Sequence, residues 1–175
     1  VGDVCDCATV TPYPGWTCIP QGTFFMGSPE DEVGRIGDET PHLVTFTYSF
    51  LAKKTEITRR EWSRFYEEIA PQPLGCDGPD CPLSSVTWEE AATYCNRLSE
   101  AEGLEPCYQL TSCTGEPGAL INQYQCDSIT MPMGVLCNGY RLPTEAEWEY
   151  MARAGSPKAF YTGESAVSDY ELCAM

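Results

Sequence analysis

Basic residues and histidine are scarce in this sequence of 175 residues. Lys and Arg together number 10 against 26 Asp and Glu, which gives a formal net charge of −16, and His42 is the one histidine. A charge of this sign repels phosphate backbones, so we expect no nucleic-acid partner and favour cations or cationic partners. A single histidine nearly excludes mixed cysteine–histidine zinc sites. We interpret His42 as a hydrogen-bonded structural residue, because no Ser or second His lies near it in the sequence.

Long apolar runs and the common catalytic motifs are also missing. No run of 18 apolar residues occurs, so we expect no membrane span. The chain does not open with a basic segment followed by an apolar one, so we interpret it as a mature or trimmed form. There is no GxSxG, Walker, GxGxxG or HExxH sequence, and we therefore assign no catalytic, cofactor-binding or metal-binding residue.

The acidic loop around Glu30, Asp31 and Glu32 is the one candidate for calcium. Its carboxylates are suitable ligands, but the D-x-D-x-D-G spacing of a calcium loop is absent. We interpret the acids as a solvated loop and leave calcium open.

Cysteine is abundant, with 11 in the chain. All-cysteine zinc sites need repeated C-x2-4-C pairs, which the spacing does not supply. We therefore predict disulfides and, from them, a secreted, periplasmic or cell-surface protein. The disulfide candidates are Cys5, Cys7, Cys18, Cys76, Cys81, Cys107, Cys113, Cys126, Cys137 and Cys173.

The spacing of the cysteines also suggests how they pair. The predicted pairs are a local Cys76–Cys81, a nested Cys107–Cys137 and Cys113–Cys126, and a link from either Cys5 or Cys7 to Cys18. We predict that Cys95, on the inner face of a helix, is a buried free thiol. Because the number is odd, at least one cysteine has no intrachain mate. Cys173 is the candidate for a bond to a partner.

The pattern along the chain predicts an α+β fold with little regular structure. Residues 1–19 form a Cys- and Pro-rich arm, and residues 20–175 form the main domain. Strands are expected over 19–26, with a turn, and over 43–48. Residues 104–140 are a Cys-rich insertion that we expect to be weakly structured and to depend on disulfides.

Three helices are predicted from the same capping-box motif, Thr-x-x-Glu. Each is expected to run for roughly 10–15 residues. The boxes begin at Thr58, Thr87 and Thr144, and the expected ends are Pro71, Gly103 and Gly155. In the second helix the predicted inner face is Ala91, Cys95 and Leu98. We expect Trp88 and Trp148, which follow their caps closely, to be packing anchors.

The string that begins at Arg141, RLPTEAEWEY followed by ARAG, resembles the signature of the formylglycine-generating enzyme (sulfatase-modifying factor) family. Four further blocks resemble that family in the same order, at residues 22–28, 39–44, 55–58 and 86–95. The resemblance implies a variant of the C-type-lectin-like fold. From the capping box itself we predict that Glu147 serves structure, and that Arg141 pairs with a neighbouring acid.

The resemblance also implies what this chain does not carry. Family enzymes continue for about a hundred residues more, with the main calcium ligands and a cysteine pair that binds copper(I) and oxidises a substrate cysteine. No residue here matches those positions, so none is catalytic by resemblance, and copper requires a C-terminal half. We also expect the domain to be incomplete at its C-terminus, with apolar surface that a partner covers.

Three functional hypotheses follow, of which the weakest is a truncated, secreted, disulfide-rich protein of unknown role. The first is a non-catalytic binding or structural module of an extracellular assembly. The alternative is the N-terminal part of a formylglycine-generating-type copper oxidase, whose catalytic pair lies in a missing or cleaved half. The expected partner is that C-terminal half or another protein subunit.

Overall fold

The computed structural model describes residues 7, 12–32, 34–66, 76, 78–118 and 124–158. In chain order its elements are β1 (Trp16–Ile19), β2 (Gly22–Met26), β3 (His42–Phe46), β4 (Phe50–Lys53), α1 (Arg59–Trp62), α2 (Trp88–Ala101), β5 (Gln109–Thr114), β6 (Gln125–Thr130), a 3₁₀ turn (Gly134–Leu136) and α3 (Glu145–Arg153). Within these residues, no helix has the length and apolarity that crossing a bilayer requires.

The chain divides into two compact units, which are described separately. Unit 1 comprises Val1–Lys54 and Pro143–Met175, and unit 2 comprises Thr55–Leu142. Unit 1 is therefore built from both ends of the chain.

Unit 1 contains two antiparallel strand pairs and α3. β1 pairs with β4, and β2 pairs with β3 in a register that places Phe24 opposite Val44. The inner face of the second pair carries Phe24 and Phe46, and Tyr150 of α3 packs on both rings with centroids 5.2 and 5.1 Å away. This aromatic cluster holds α3 against the β2–β3 hairpin.

Unit 2 has two small buried clusters. In the first, Trp62 of α1 stacks on Tyr94 of α2 with ring centroids 5.2 Å apart. In the second, α2 contributes Ala92 and Cys95, which pack with Cys107 and Tyr108. α2 thus supplies both clusters.

Two buried polar side chains of α2, Glu90 and Asn96, are satisfied by the backbone. Glu90 accepts hydrogen bonds from the backbone N–H of Thr87 and of Gly118, each at 2.8 Å. The Asn96 side chain donates to the carbonyl of Tyr108 at 2.7 Å and accepts from its N–H at 3.0 Å. These bonds tie the segments around α2 to the helix without leaving a buried charge unpartnered.

All three predicted helix starts are confirmed, each with both hydrogen bonds of a capping box. The predicted length of the first helix is wrong: α1 ends at Trp62, and residues 63–65 form a turn. Pro71 lies outside the described residues. Gly103 follows the C-cap of α2 with φ +73°, the left-handed conformation that glycine favours. α3 ends at Arg153, with Ala154 as its cap, one residue before Gly155.

Two other sequence expectations need correction. The insertion at 104–140 is not merely a weakly structured segment, because β5 and β6 pair as an antiparallel hairpin within it. The inner face of α2 is also wider than predicted, since Ala92 is fully buried whereas Ala91 is half-buried. A helix packed on more than one side does not show a single apolar stripe.

Four disulfides lie within the described residues: Cys7–Cys18, Cys76–Cys81, Cys107–Cys137 and Cys113–Cys126. They match the nested and local pairs expected from the spacing, and Cys7 is the partner of Cys18. Cys95 is a buried free thiol. Cys5 and Cys173 lie outside the described residues.

Candidate functional site

The first turn of α3 holds a fully buried carboxylate. Glu147 accepts a hydrogen bond from the N–H of Thr144 at 2.8 Å through Oε2. Its other oxygen accepts from the hydroxyl of Tyr48 at 2.9 Å. Because its two carboxylate oxygens are engaged inside the protein, this side chain has the contacts of a structural group.

Further along α3, two charged side chains form hydrogen bonds with the backbone of Gly27. Glu149 accepts from the N–H of Gly27 at 2.9 Å, while an Nη of Arg153 donates to its carbonyl at 2.7 Å. Arg153 Nε also donates to Glu149 at 2.7 Å, and both side chains are largely buried. We call Gly27, Glu149 and Arg153 the Gly27 clamp. It fixes the end of β2 to α3.

Gly27 can be only glycine in this arrangement. Its φ is +93°, which disfavours side chains. A Cβ would also lie 2.8 Å from the carbonyl oxygen of Glu39 and 2.9 Å from that of Thr40.

A cleft of about 770 Å³ lies beside the clamp, within unit 1. Its walls are mostly apolar and rich in proline and aromatic residues. The lining residues are Ile19, Pro20, Thr23, Phe24, Phe25, Gly27, Pro29, Pro41, Tyr150, Met151, Arg153, Ala154, Gly155, Ser156 and Pro157. We call this the α3 cleft. Concave apolar surfaces with a few polar groups are typical of binding sites.

The β2–β3 hairpin also carries an exposed apolar pair, Phe25 and Leu43, of which Phe25 lines the α3 cleft. Phe25 and Leu43 are directly opposite each other on β2 and β3, on the face away from Phe24. Their exposed fractions are 69% and 59%. An adjacent pair of large exposed apolar side chains is more informative than single ones.

The loop between β2 and β3 carries the charge of this region. Residues 28–39 contain five acidic residues and one Arg, a formal net charge of −4. Glu30, Asp31 and Asp38 are exposed, whereas Glu39 accepts from the Ser28 hydroxyl. Arg35 donates to the carbonyl of Ser28 at 3.1 Å. The loop therefore presents uncompensated negative charge next to Pro29 and Pro41, which line the cleft.

Other residues singled out in the sequence lie apart from one another. His42 is exposed, and its Nδ1 lies 2.9 Å from the carbonyl oxygen of Thr40. Arg141, in unit 2, donates to the carbonyl of Leu142 at 3.1 Å. Neither contact brings a nucleophile and a base together.

Trp88 and Trp148 are less buried than expected for packing anchors. Trp88 makes an edge-on contact with Tyr108 at 5.9 Å between centroids but is 53% exposed. Trp148 is 61% exposed, so it is not a packing anchor within the described residues.

The described residues do not fit the copper site that the family resemblance implies. Copper(I) in such a site needs two thiolates, but eight of the nine described cysteines are in disulfides. Burial raises the pKa of the remaining thiol, Cys95, to about 12, so it stays protonated at neutral pH. Nor do these residues bring together three or more His, Cys, Asp or Glu that could hold a metal ion.

Small antiparallel sheets, capped helices and disulfides define an α+β fold of the formylglycine-generating-enzyme type, as expected from the sequence blocks. A family model described as the sulfatase-modifying factor enzyme 1-like domain matches residues 3–172. The chain belongs to this family.

The chain is similar to several known proteins, including the following three. The "Chaperone protein LppX" of Paenibacillus barcinonensis is 36% identical over 115 residues, 65% of this chain and 39% of that protein. The structure of PvdO from Pseudomonas aeruginosa is 26% identical with a TM-score of 0.53, over 81% of this chain and 48% of PvdO. Treponema denticola variable protein 1 is 23% identical with a TM-score of 0.59, over 90% and 58%, and supports the fold alone. The chain spans about two-fifths of the length of the curated relative.

Proposed function

We propose that this chain is a secreted, periplasmic or cell-surface binding or structural module without catalytic activity of its own, and that the α3 cleft is its binding surface. The observation that carries the proposal is the role that residues of the family signature, in and before α3, play in the structure. Thr144 and Glu147 make the capping box, and Glu149 and Arg153 make the Gly27 clamp. Both hold α3 in place, and Tyr150, Met151 and Arg153 of this helix line the apolar cleft. Side chains whose polar groups are hydrogen-bonded to hold α3 in place are suited to forming a binding surface rather than to transferring protons.

The chemistry of the cleft indicates the partner. Its aromatic and proline lining favours apolar side chains, and the loop at 28–39 favours positive charge. A polypeptide segment with aliphatic or aromatic side chains flanked by Lys or Arg fits both features. Such a segment would come from another protein subunit of an extracellular assembly.

The proposal is tested by calorimetric titration with two synthetic peptides, one with Leu and Phe among lysines and one with every lysine replaced by glutamate. We expect the first to bind and the second not to bind. Phe25→Ser should abolish binding, and the double change Glu30→Gln, Asp31→Asn should weaken it several-fold. Glu116→Gln with Asp127→Asn, an equal charge change in unit 2, is the matched control. Binding that survives Phe25→Ser and responds equally to both charge pairs would be non-specific attraction and would refute the proposal.

The second candidate is the N-terminal part of a formylglycine-generating-type copper oxidase. Family membership and the partial span of the relatives favour it. A cysteine-containing sulfatase peptide, copper(I) and oxygen form the assay. We expect no formylglycine from this chain alone, and aldehyde formation would overturn the non-catalytic proposal.

A further inference from the structure

The Cys76–Cys81 disulfide differs from the others in how it is placed. Of the four disulfides in the part of the chain that the structure describes, it closes the shortest loop, with a sequence separation of 5 against 11, 13 and 30 for the other three. A short loop restricts the unfolded chain least, so this bond contributes least to stability through chain entropy. It can open at a smaller cost to the fold than Cys107–Cys137.

The two sulfurs of this disulfide are not equivalent. Cys76 is exposed, whereas Cys81 is 6% exposed. The backbone N–H of Gly78 donates to the Sγ of Cys81 at 3.1 Å. Burial disfavours a thiolate at Cys81, but a hydrogen bond to sulfur stabilises a thiolate more than a disulfide sulfur, so the Gly78 N–H offsets this cost and lets Cys81 leave. Cys76 is accordingly the sulfur open to attack.

Exposure does not distinguish Cys76–Cys81 from the disulfide of the β5–β6 hairpin. Cys113 is exposed as well. Among the described residues, however, no N–H donates to the sulfur of Cys113 or of Cys126. The short loop and the Gly78 N–H are therefore the two features that distinguish Cys76–Cys81 from Cys113–Cys126.

The geometry points to Cys76–Cys81 as a thiol–disulfide exchange site, with Cys76 as the electrophile and Cys81 as the leaving thiolate. An external thiolate attacks Cys76 Sγ, a mixed disulfide forms with Cys76, and the Cys76–Cys81 bond breaks with its electron pair on Cys81. A second external thiolate then displaces Cys76. The protein disulfide is reduced to two thiols, and two external thiols are oxidised to one disulfide.

The loop closed by this disulfide also holds the N-terminus of α1. The N–H of Arg59 donates to the carbonyl of Cys81 at 3.0 Å, and that of Arg60 donates to the carbonyl of Pro79 at 2.8 Å. These carbonyls satisfy N–H groups that have no partner inside the helix. Opening the disulfide therefore weakens the hydrogen bonds that hold the N-terminus of α1. Exchange at this site can thus be detected as a change in the structure around α1.

Charge near the site selects among thiols. Asp80 lies inside the loop and is exposed, although Arg60 forms a two-bonded ion pair with it at 2.8 and 3.1 Å. With a formal net charge of −16, the protein repels anionic thiols. A thiol that carries an ammonium group is the favoured class of reactant.

The test is timed exchange of the folded chain with cysteamine, followed by alkylation and peptide mass spectrometry. We expect Cys76 and Cys81 to be labelled roughly tenfold faster than Cys113 and Cys126, and the first cysteamine adduct to be on Cys76. Glutathione should react more slowly than cysteamine, and salt should narrow that difference. Equal labelling of all four disulfides, faster labelling of Cys113, or a first adduct on Cys81 would overturn the inference.

A variant separates exchange at this site from general unfolding. Cys76→Ser with Cys81→Ser should fold and should show no fast labelling phase, because the other disulfides remain. If the fast phase persists in this variant, the site lies elsewhere. The experiment does not involve the α3 cleft, so its result is independent of the peptide titrations.

Discussion

Glu147 accepts a hydrogen bond from the hydroxyl of Tyr48, although 99 positions separate the two residues in the chain. The bond joins the first turn of α3 to the segment between β3 and β4. It is made by a side chain with no exposed surface. The polar contact therefore works together with the aromatic packing of Tyr150 to assemble unit 1.

Replacing Glu147 should destabilise the protein. In Glu147→Ala the Thr144 N–H and the Tyr48 hydroxyl lose their acceptor, so we expect the free energy of unfolding to fall by about 2–4 kcal/mol. Denaturant unfolding gives the value. Glu145→Ala, an exposed position in the same helical turn, is the control and should change stability by less than about 0.5 kcal/mol. Equal effects of the two changes would contradict the structural role of Glu147.

Gly139 should tolerate no side chain. A Cβ at this position would lie 2.7 Å from Ser99 Oγ and 3.1 Å from Cys107 Sγ, and it would overlap the carbonyl oxygen of Glu105. We expect Gly139→Ala to lower the free energy of unfolding by about 1–3 kcal/mol. Gly37→Ala, where a Cβ meets nothing within 4 Å, is the matched control. A thermal melt of both variants checks the difference, and similar melting temperatures would argue against the close approach at Gly139.

The Cys107–Cys137 disulfide should matter more to stability than Cys113–Cys126. Its sequence separation is 30 rather than 13, and Cys107 is 2% exposed within the core of unit 2. Paired serine substitutions at 107 and 137 should cost about 2–5 kcal/mol, and the same change at 113 and 126 should cost less. The denaturant midpoints of the two double variants, measured in parallel, give the order of their stabilities. A larger loss of stability at 113 and 126 would refute the prediction.

The buried thiol of Cys95 should make stability depend on alkaline pH. Burial raises its pKa from an ordinary value of 9.0 to about 12 in the folded state. The folded form then holds the thiol proton more tightly than the unfolded form. The contribution of the protonated thiol to the free energy of unfolding is therefore full below pH 9 and is lost as the pH rises towards 12. Burial likewise raises the pKa of Tyr66 to about 12. Unfolding free energies from pH 8 to 11 should decline, and less steeply in Cys95→Ala.

Thiol labelling gives a second check on Cys95. In the folded protein the Cys95 thiol should react slowly with an alkylating reagent at neutral pH, and in the unfolded, unreduced protein it should react at once, as measured on the peptide that contains Cys95. Fast reaction of Cys95 in the folded chain would contradict its burial.

Local signals in the sequence predicted the helix starts, because a capping box is complete within four residues. The short α1 could not be predicted in the same way. Trp62, Phe65 and Tyr66 have helical spacing, yet after Trp62 the chain turns and these rings pack on Tyr94. Packing between distant segments overrides periodicity over so short a stretch.

The hairpin and the cleft were harder to foresee for different reasons. β5 carries a usable signal in its run of Leu110, Thr111 and Thr114, which favours a strand. The Gly27 clamp has no local signal, since Gly27 and Arg153 are 126 positions apart. The α3 cleft depends on that long-range contact, and so the pattern predicted the fold class but not the binding surface.

Unit 1 is formed by two separate stretches of the chain, and this affects the order in which the protein can fold during synthesis. During synthesis the β2–β3 hairpin emerges early, but Arg153, which closes the clamp on Gly27, follows 126 positions later. At typical rates of translation the delay is roughly 6–25 s. Phe24 and Phe46 remain uncovered until Tyr150 arrives, whereas residues 55–142 are already synthesised. Residues 55–142 can therefore fold first, and the nascent hairpin is exposed to aggregation throughout that interval.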